Sequence, residues 1–389
     1  MITRIYSHQE PPSSYEVAIF LMGPTPRDNN VKSWRTEALQ ILEKIYANKP
    51  INLVIFIPET ENYDYLTQVE WEKQHIEMAD VILTWLPQDM DTSLKGLTTN
   101  IEFGKYIESG KLFYGRPDTA DNIMYLDWMY SDITKRKPIN SLPLLCKEIA
   151  RYLNPLINSN SLRVEGERYI PLHIWHTPQF QNWYQLQIQA GNKLISAKLL
   201  WLFTIPSIDF IFSYAIHVNI WIKAENRIKS NEFIISRPDI SVVVAYWKHP
   251  TYISASEIIL IKEFRSPART GDGFVHELPG GSSFKNSENC LQLACDELHE
   301  ETGLKIESNR FNYIASKQLA STWSTHFADV YAVKLNKSEI EQAKANAHKT
   351  FGVMEDSEKT YVEVYTLAEA VKNVDWSMAG IIYQVLIDQ

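Results

Sequence analysis

Short apolar runs alternate with amphipathic stretches along the first part of the chain. Apolar runs bounded by turn or charged residues predict buried strands at 15–22, 51–57, 79–86 and 111–114. Apolar residues at helical spacing predict helices between these strands, at 31–46, 70–78 and 101–109. Strands that alternate with helices favour a parallel sheet covered on both faces. The pattern therefore predicts an α/β domain over residues 1–155.

The pattern changes twice in the remainder of the chain. In residues 156–215, His176-Thr177-Pro178 is typical of a helix start, and we expect a helical linker or interface segment with 179–203 as one long helix or two. Its aromatic residues are expected in a core rather than stacked on bases. Further on, apolar runs predict strands at 233–236, 240–247 and 258–264, and periodicity predicts helices at 289–302 and 376–387. We expect an α+β domain over 216–389.

Composition and charge narrow the classes of function. The formal charge of −9 and the pI near 5.6 argue against a nucleic-acid groove, which needs a basic surface. Three cysteines are too few for a disulfide framework or a zinc site, and the N-terminus lacks the apolar run of a signal peptide. The uncharged stretch Phe210–Ile222 is too short to span a bilayer. We expect a cytoplasmic protein that binds neither nucleic acid nor a membrane.

Three carboxylates recur at helical spacing in the last third of the chain. Glu297, Glu300 and Glu301 lie at i, i+3 and i+4, so a helix places them on one face. Like charges repel there, and a hard divalent cation would make the arrangement favourable because it takes oxygen ligands. Upstream, Gly280 and Gly281 form a tight loop whose amides can approach a phosphate. An exposed acidic helix is the alternative interpretation of the triplet alone.

The segment around these carboxylates resembles the Nudix box, written G-x5-E-x7-R-E-U-x-E-E-x-G-U with U aliphatic. The residues that fit the box at its spacing are Glu288, Glu297, Leu298, Glu300, Glu301, Gly303 and Leu304. The leading Gly281 lies one residue further from the first glutamate than the box prescribes, and Asp296 replaces the arginine that orients the carboxylates. The resemblance implies a Nudix α/β/α sandwich that uses Mg²⁺ or Mn²⁺, held by Glu297 and Glu301, to hydrolyse a nucleoside diphosphate derivative.

Flanking residues narrow the substrate class. The order E-F-R-x-P, a short loop, then E-L-P-G-G is similar to Nudix enzymes of the ADP-ribose pyrophosphatase type. By that resemblance Arg265 contacts the diphosphate or the terminal ribose, whereas a surface ion pair is the alternative for this residue. Glu300 and Glu277 would complete the metal coordination or activate water. Enzymes of this type often dimerise through their N-terminal strands, which implies a homodimer with its interface at 216–236.

The first domain carries a second resemblance, to the nucleoside 2-deoxyribosyltransferase-like family over about residues 15–130. It rests on I-F-L-M-G-P at 19–24, Trp34-Arg35, Trp71-Glu72, Ala79-Asp80 and T-T-N-I-E-F-G at 98–104. The family implies a flavodoxin-like doubly wound sheet, with Gly23 at the substrate, Glu102 as nucleophile on the anomeric carbon and Glu72 as the acid that handles the base. Phe20 departs from the family, which usually has tyrosine there. The alternative for Glu102 is an acid stabilised at a helix N-terminus.

These features favour a two-domain enzyme that acts on a small nucleotide. ADP-ribose and NAD-like dinucleotides are candidates, because they hold a diphosphate together with an N-glycosidic bond or a free ribose. N-glycoside hydrolysis and deoxyribosyl transfer both remain open for the N-terminal domain. In a second hypothesis that domain is an inactive nucleotide sensor that regulates the Nudix domain. In a third, both sites are degenerate and the chain is a scaffold.

Overall fold

A computed structural model of the protein describes all residues except 28–30, 61–63, 158–160, 206–209, 283–288, 348, 353–358 and 389. Contacts between residues divide the chain into two compact units, Met1–Ile235 and Ser236–Gln389. The division lies later than the expected one at 215/216, because residues 216–235 pair with strands of the first unit. Glu288 of the predicted Nudix box lies outside the described residues. Within the described ranges, no helix is both long enough and apolar enough to cross a membrane.

Five parallel strands form the main sheet of the first unit. Its strands are β1 (Ile2–Tyr6), β3 (Val17–Met22), β4 (Leu53–Ile57), β5 (Val81–Trp85) and β6 (Leu112–Gly115). The short strand β2 (Ser14–Tyr15) precedes β3 and lies outside this sheet. The helices beside them are α1 (Trp34–Tyr46), α2 (Tyr65–Met78), α3 (Leu97–Tyr106), α4 (Met124–Thr134) and α5 (Leu142–Leu153). The strand order is β1-β4-β3-β5-β6, and every neighbouring pair runs parallel.

Both faces of this sheet are covered by helices. Ile19 and Leu21 of β3 pack into the cluster that holds α1 and α5, whereas Phe20 and Met22 pack into the cluster that holds α2. Because alternate side chains point to opposite faces, burial on both faces requires an apolar residue at nearly every position. The predicted parallel sheet is confirmed, and the order β4-β3-β5-β6 is that of flavodoxin-like sheets. The strand β1, which the pattern did not predict, adds an edge beside β4.

Residues 156–235 complete the first unit, and the helical linker predicted at 156–215 is wrong for much of its length. The elements are β7 (Arg163–Val164), α6 (Leu172–Trp175), α7 (Pro178–Gln189), β8 (Lys193–Ile205), β9 (Phe210–Ile222) and β10 (Arg227–Ser236). Helix α7 ends just before Gly191, which takes a left-handed φ of +76°. The long strands β8 and β9 then pair with each other. An apolar run alone does not distinguish such a strand from a helix. The aromatic residues of α6 and α7 pack in the core, as expected, whereas Trp201 and Phe203 of β8 are 51% and 49% exposed, so the expectation is wrong for these two.

A buried ion pair joins this segment to the parallel sheet. The Arg163 and Asp80 side chains are 0% and 1% exposed and contact each other. Arg163 also donates to two backbone carbonyls, Ile170 O at 2.6 Å and Glu16 O at 3.0 Å. Asp80 accepts from two backbone amides, Ala18 N at 2.8 Å and Leu172 N at 3.0 Å. The start of β3 and the segment before α6 are therefore held by one charge pair.

The second unit is a mixed sheet with helices on both faces. Its strands are β11 (Ile240–Trp247), β12 (Glu257–Phe264), β13 (Phe274–Glu277), β14 (Gly280–Gly281), β15 (Asn312–Gln318), β16 (Phe327–Lys334), β17 (Thr350–Phe351) and β18 (Thr360–Thr366). Its helices are α8 (Cys290–Thr302), α9 (Lys337–Asn346), α10 (Leu367–Asn373) and α11 (Trp376–Asp388). The main path is β15-β16-β11-β12-β18-β17, with β13 beside β12 and β14 beside β11.

The two faces of β11 show how the layers form. Val242 and Val244 pack with residues of α10 and α11, whereas Val243 and Ala245 pack with residues of α8 and α9. The unit therefore has a helix–sheet–helix arrangement. The sequence pattern predicted β11, β12, α8 and α11 close to their observed bounds. It missed α9, which carries few apolar residues, and α10, which is only seven residues long.

Candidate active sites

A glycine turn follows β3 at the point where the sheet changes direction. The chain leaves β3 for β4 on one side and returns to β5 on the other, and ligands of open α/β sheets bind at such switch points. Gly23 has no room for a side chain, because a Cβ there would overlap the Trp85 carbonyl oxygen and lie 2.6 Å from the Trp34 ring. The predicted substrate residue Gly23 thus occupies a position where only glycine fits.

The buried side chain of Arg35 holds this turn in place. Its guanidinium donates to carbonyls and side chains of the turn and to one carboxylate: Leu21 O at 3.0 Å, Gly23 O at 2.5 Å, Thr25 Oγ1 at 3.0 Å and Glu59 Oε1 at 2.9 Å. The side chain is 1% exposed. From the sequence, Arg35 was only part of the family pattern and had no predicted role. An arginine one residue inside a helix that follows a Gly-Pro turn was the available signal.

Two carboxylates, Glu72 on α2 and Glu102 on α3, interact electrostatically beside this arginine. Burial and, to a smaller extent, the charge of Glu72 raise the pKa of Glu102 to about 7, against the opposing charges of Arg35 and Lys105. Burial also raises the pKa of Glu72, whereas a hydrogen bond from Gln68 Nε2 at 2.6 Å and the charge of Arg35 lower it. Both side chains are half-buried. The structure thus brings the two predicted catalytic acids of this unit together.

The helix dipole does not explain the placement of Glu102. The predicted helix at 101–109 put this residue in the first turn, where a carboxylate is stabilised by the dipole. The observed helix α3 begins at Leu97, so Glu102 is already beyond the first turn. The dipole effect falls off within that turn. The pKa of Glu102 is in fact raised, as burial and a neighbouring carboxylate require.

Two buried oxygen atoms near the start of α3 have no hydrogen-bond partner among the described residues. They are the Oε1 atom of Gln88, just after β5, and the Oδ1 atom of Asn100 on α3. The Gln88 oxygen lies against Gly96, the residue that precedes α3. Unpartnered buried acceptors are costly, so they mark places where a donor from a ligand would be stabilising. Neither residue was predicted as a site residue from the sequence.

In the second unit, two carboxylates of α8 lie against the glycine pair of β14. Glu301 is 2% exposed, and its carboxylate accepts a hydrogen bond from the Gly280 N–H at 2.8 Å. A Cβ at Gly281 would overlap the carboxylate of Glu297. The helix is fixed by Asn289, which accepts from Leu291 N at its start, and by a left-handed Gly303 at its end. Four of the predicted residues therefore converge here.

The other predicted residues of the second unit make different contacts. Arg265 donates to Glu277 at 2.8 Å and also pairs with Glu263 at 2.9 Å, which is the ion-pair alternative. The side chain of Glu300 is exposed. Asp296, which replaces the arginine of the box, accepts a hydrogen bond from the Gln292 side chain. Among the described residues, no group of three or more His, Cys, Asp or Glu side chains is close enough to hold a metal ion.

One basic side chain near this region was not predicted as functional. Burial lowers the pKa of Arg237, the charge of Arg265 lowers it further, and Glu277 opposes both. Its charge also acts on His326, whose pKa burial lowers to about 4. Arg237 immediately precedes Pro238 and was not predicted as a functional residue from the sequence. Two arginines and one carboxylate thus share the electrostatic environment beside β13.

Comparison with known proteins gives one family for part of the chain. Comparison with curated proteins found no match. Residues 16–119 match the family described as nucleoside 2-deoxyribosyltransferase like. The matched range contains Gly23, Arg35, Glu72 and Glu102 and ends before α8. The first unit therefore contains a nucleoside 2-deoxyribosyltransferase-like domain.

Proposed function

We propose that the first unit cleaves the N-glycosidic bond of a nucleoside or nucleotide, with Glu102 as the nucleophile. The observation that carries the proposal is the pairing of Glu72 and Glu102 on the helices that lead into and out of β5, within the range that matches the family. Paired carboxylates serve retaining glycoside cleavage, in which one attacks the sugar and the other handles the proton of the leaving group.

The proposed reaction needs Glu102 ionised and Glu72 protonated. Burial raises both pKa values, so the pair retains a proton close to neutral pH. When Glu102 is ionised it attacks the anomeric carbon, and the bond to the base nitrogen breaks with its electron pair going to the base. The reaction proceeds from the state in which the shared proton lies on Glu72, which gives it to the leaving base. Water or a second base attacks the glycosyl ester and frees Glu102.

The unpartnered oxygens of Gln88 and Asn100 support a polar ligand at this site. Each can accept a hydrogen bond from a sugar hydroxyl or an exocyclic amine. Arg35 is not available for this purpose, because its donors bind the turn and Glu59. Sugar recognition by side-chain amides would leave the two carboxylates for the chemistry.

The proposal is tested by replacing Glu102 and measuring free base. The full chain is incubated with a panel of nucleosides and nucleoside monophosphates, with and without an added acceptor base, and products are identified by mass. Glu102→Gln should lower base release at least about a hundredfold. Glu108→Gln, an exposed carboxylate shortly after the same helix, is the matched control. Nucleotide binding by the wild-type chain without any base release would support the sensor hypothesis instead.

We propose further that the second unit is a Nudix hydrolase that cleaves a nucleoside diphosphate derivative. The specific support is the contact of Glu297 and Glu301 with the β14 glycines, because it brings the predicted metal ligands beside the predicted phosphate loop. The helix–sheet–helix layering of the unit is also what the resemblance implies. Gly280 donates its N–H to Glu301, so the carboxylate is held in one orientation.

The donor chemistry of this site fits Mg²⁺ or Mn²⁺. Glu297 and Glu301 offer carboxylate oxygens at one loop, which is the ligand type that these cations take. A bound cation would neutralise charge on the diphosphate oxygens and lower the pKa of water. The chain itself positions these two carboxylates, and Arg237 and Arg265 supply positive charge beside β13. Glu277 and Glu300 remain candidates to complete the metal ligands or to activate water.

Two measurements on one variant pair test this second proposal. Glu301→Gln should abolish release of nucleoside monophosphate from nucleoside diphosphate sugars and dinucleotides, and should weaken Mn²⁺ binding measured by paramagnetic resonance. Glu307→Gln, an exposed glutamate just after the helix, should change neither. Equal cleavage by the two variants would place the chemistry elsewhere. Weak Mn²⁺ binding by the wild-type chain without any cleavage would support the scaffold hypothesis.

A further inference from the structure

Within the described residues, the buried side chain of Gln68 on α2 makes a single hydrogen bond, and its acceptor is the proposed acid Glu72. The Gln68 Nε2 atom donates to Glu72 Oε1 at 2.6 Å, across one turn of the helix. Gln68 is only 6% exposed. Its amide oxygen Oε1 is also buried, and it has no hydrogen-bond partner in the part of the chain that the structure describes. The amide is therefore held by packing and by the carboxylate of Glu72.

Support of the helix does not account for this glutamine. A side-chain hydrogen bond between positions four apart stabilises a helix only slightly. A buried amide oxygen without a donor costs stability, and an apolar side chain of the same length would avoid that cost. The remaining contribution of Gln68 is its contact with the carboxylate of Glu72.

This contact leaves one oxygen of Glu72 for the chemistry. The Oε1 atom accepts from Gln68, whereas the Oε2 atom makes no hydrogen bond to any residue that the structure describes. In a protonated carboxyl group the carbonyl oxygen is the better acceptor, so the proton lies on the other oxygen. Glu72 is half-buried. The hydrogen bond from Gln68 therefore places the proton of Glu72 on Oε2.

The same hydrogen bond becomes stronger as Glu72 gives up its proton. A donor binds a carboxylate more strongly than a protonated carboxyl group. Burial raises the pKa of Glu72, and the hydrogen bond from Gln68 is the larger of the two effects that oppose it, ahead of the charge of Arg35. In the bound complex with the proton on Glu72, departure of the base turns this acid into a carboxylate. Gln68 then stabilises the transition state more than the bound reactant.

We propose that Gln68 is a positioning residue that holds Glu72 with Oε2 free to protonate the leaving base and that stabilises the carboxylate formed by this transfer. The proposal rests on the function proposed for the first unit. Gln68 itself forms no bond to the substrate. The proton passes from Glu72 Oε2 to the base nitrogen, the electron pair of the glycosidic bond goes to the base, and Glu102 forms the glycosyl ester. Gln68 therefore matters only where the leaving group needs a proton.

Two leaving groups that differ in this need test the proposal on the full chain. The probes are guanosine and 7-methylguanosine, whose base already carries a positive charge and leaves without a proton. Gln68→Met keeps the length of the side chain and removes the donor. It should lower kcat for guanosine about tenfold or more with little change in KM, and should keep cleavage of 7-methylguanosine within about twofold of wild type. Gln74→Met, at an exposed position of the same helix, is the matched control and should alter neither rate.

Carboxyl titration gives a second readout that does not depend on turnover. In chains labelled with ¹³C at the glutamate carboxyls, the signal of Glu72 is assigned with Glu72→Gln and followed against pH. The pKa of Glu72 should be higher in Gln68→Met than in wild type, because the ionised form has lost a donor. An unchanged pKa would overturn the proposal, and so would an equal loss of both cleavage reactions, which indicates a structural role. If the wild-type chain releases base from no nucleoside, the proposed function fails, and the titration still decides whether Gln68 acts on Glu72.

Discussion

Removing Arg163 should destabilise the first unit strongly, because it leaves Asp80 as an unpaired charge in the core. Arg163→Met keeps an unbranched side chain of similar length but removes three contacts, to Asp80, Glu16 O and Ile170 O. Breaking a buried pair by deleting one partner costs about 3–5 kcal/mol. Two buried carbonyls also lose a donor, at about 1–3 kcal/mol each if nothing replaces it. The losses overlap, and we expect about 4 kcal/mol in total.

Hydrogen exchange is the suitable assay, because a chain of two units need not unfold in one step. Asp80 accepts from the Ala18 and Leu172 amides, so peptides that contain these residues report opening of the clamp. A loss of about 4 kcal/mol corresponds to roughly a thousandfold faster exchange. Arg4→Met is the control, since Arg4 is 45% exposed and its pair with Glu43 contributes only about 0–1 kcal/mol.

The destabilisation by Arg163→Met should also depend on pH, which gives a second test. Burial raises the pKa of Asp80, and Arg163 opposes that effect. Without Arg163 the folded-state pKa of Asp80 rises further above its unfolded value. Stability is then retained at low pH, where Asp80 is protonated, and is lost as the pH rises through the folded pKa. The destabilisation should be larger at pH 8 than at pH 5. Equal exchange in Arg163→Met and Arg4→Met at pH 8 would refute the reasoning.

Three further predictions concern the proposed reactions. The kcat/KM for base release should fall as the pH rises through about 7, because the carboxylate pair then loses the proton that Glu72 gives to the leaving base, and the last proton of the pair leaves with the raised pKa of about 7; a flat profile from about pH 5 to 9 contradicts this. Arg35→Gln should move that midpoint to higher pH, since Arg35 favours ionised Glu102, and Arg35→Lys should restore part of the shift; an unchanged midpoint in a folded variant contradicts it. Gly281→Ala should lower diphosphate cleavage at least about tenfold, because a Cβ there displaces the Glu297 carboxylate, whereas Gly271→Ala has open space and should be neutral; similar rates for the two would show that the contact is irrelevant.

The parallel sheet was predictable because burial on both faces makes its strands apolar at consecutive positions. This signal located β3, β4, β5 and β6 within a few residues, and spacing alone placed Glu297 and Glu301 on one helix face. The same signal failed at 193–205, where β8 occurs instead of a helix. This strand is only partly buried, so apolar and polar positions do not alternate strictly along it. Such a pattern is compatible with a helix or with a strand, and pairing with the following strand β9 decides between them.

The sequence by itself determined the chemical inventory: which strands of the parallel sheet are buried, and which helix carries carboxylates at i, i+4. Local spacing suffices for these features, because they depend on residues a few positions apart. Only the tertiary structure decided which of these groups meet. The charge of Glu72 raises the pKa of Glu102 because the two side chains come near each other from separate helices, and Arg163 reaches Asp80 across 83 positions of the chain. Burial and charge proximity set the pKa values and pairing energies, and both are properties of the packed chain.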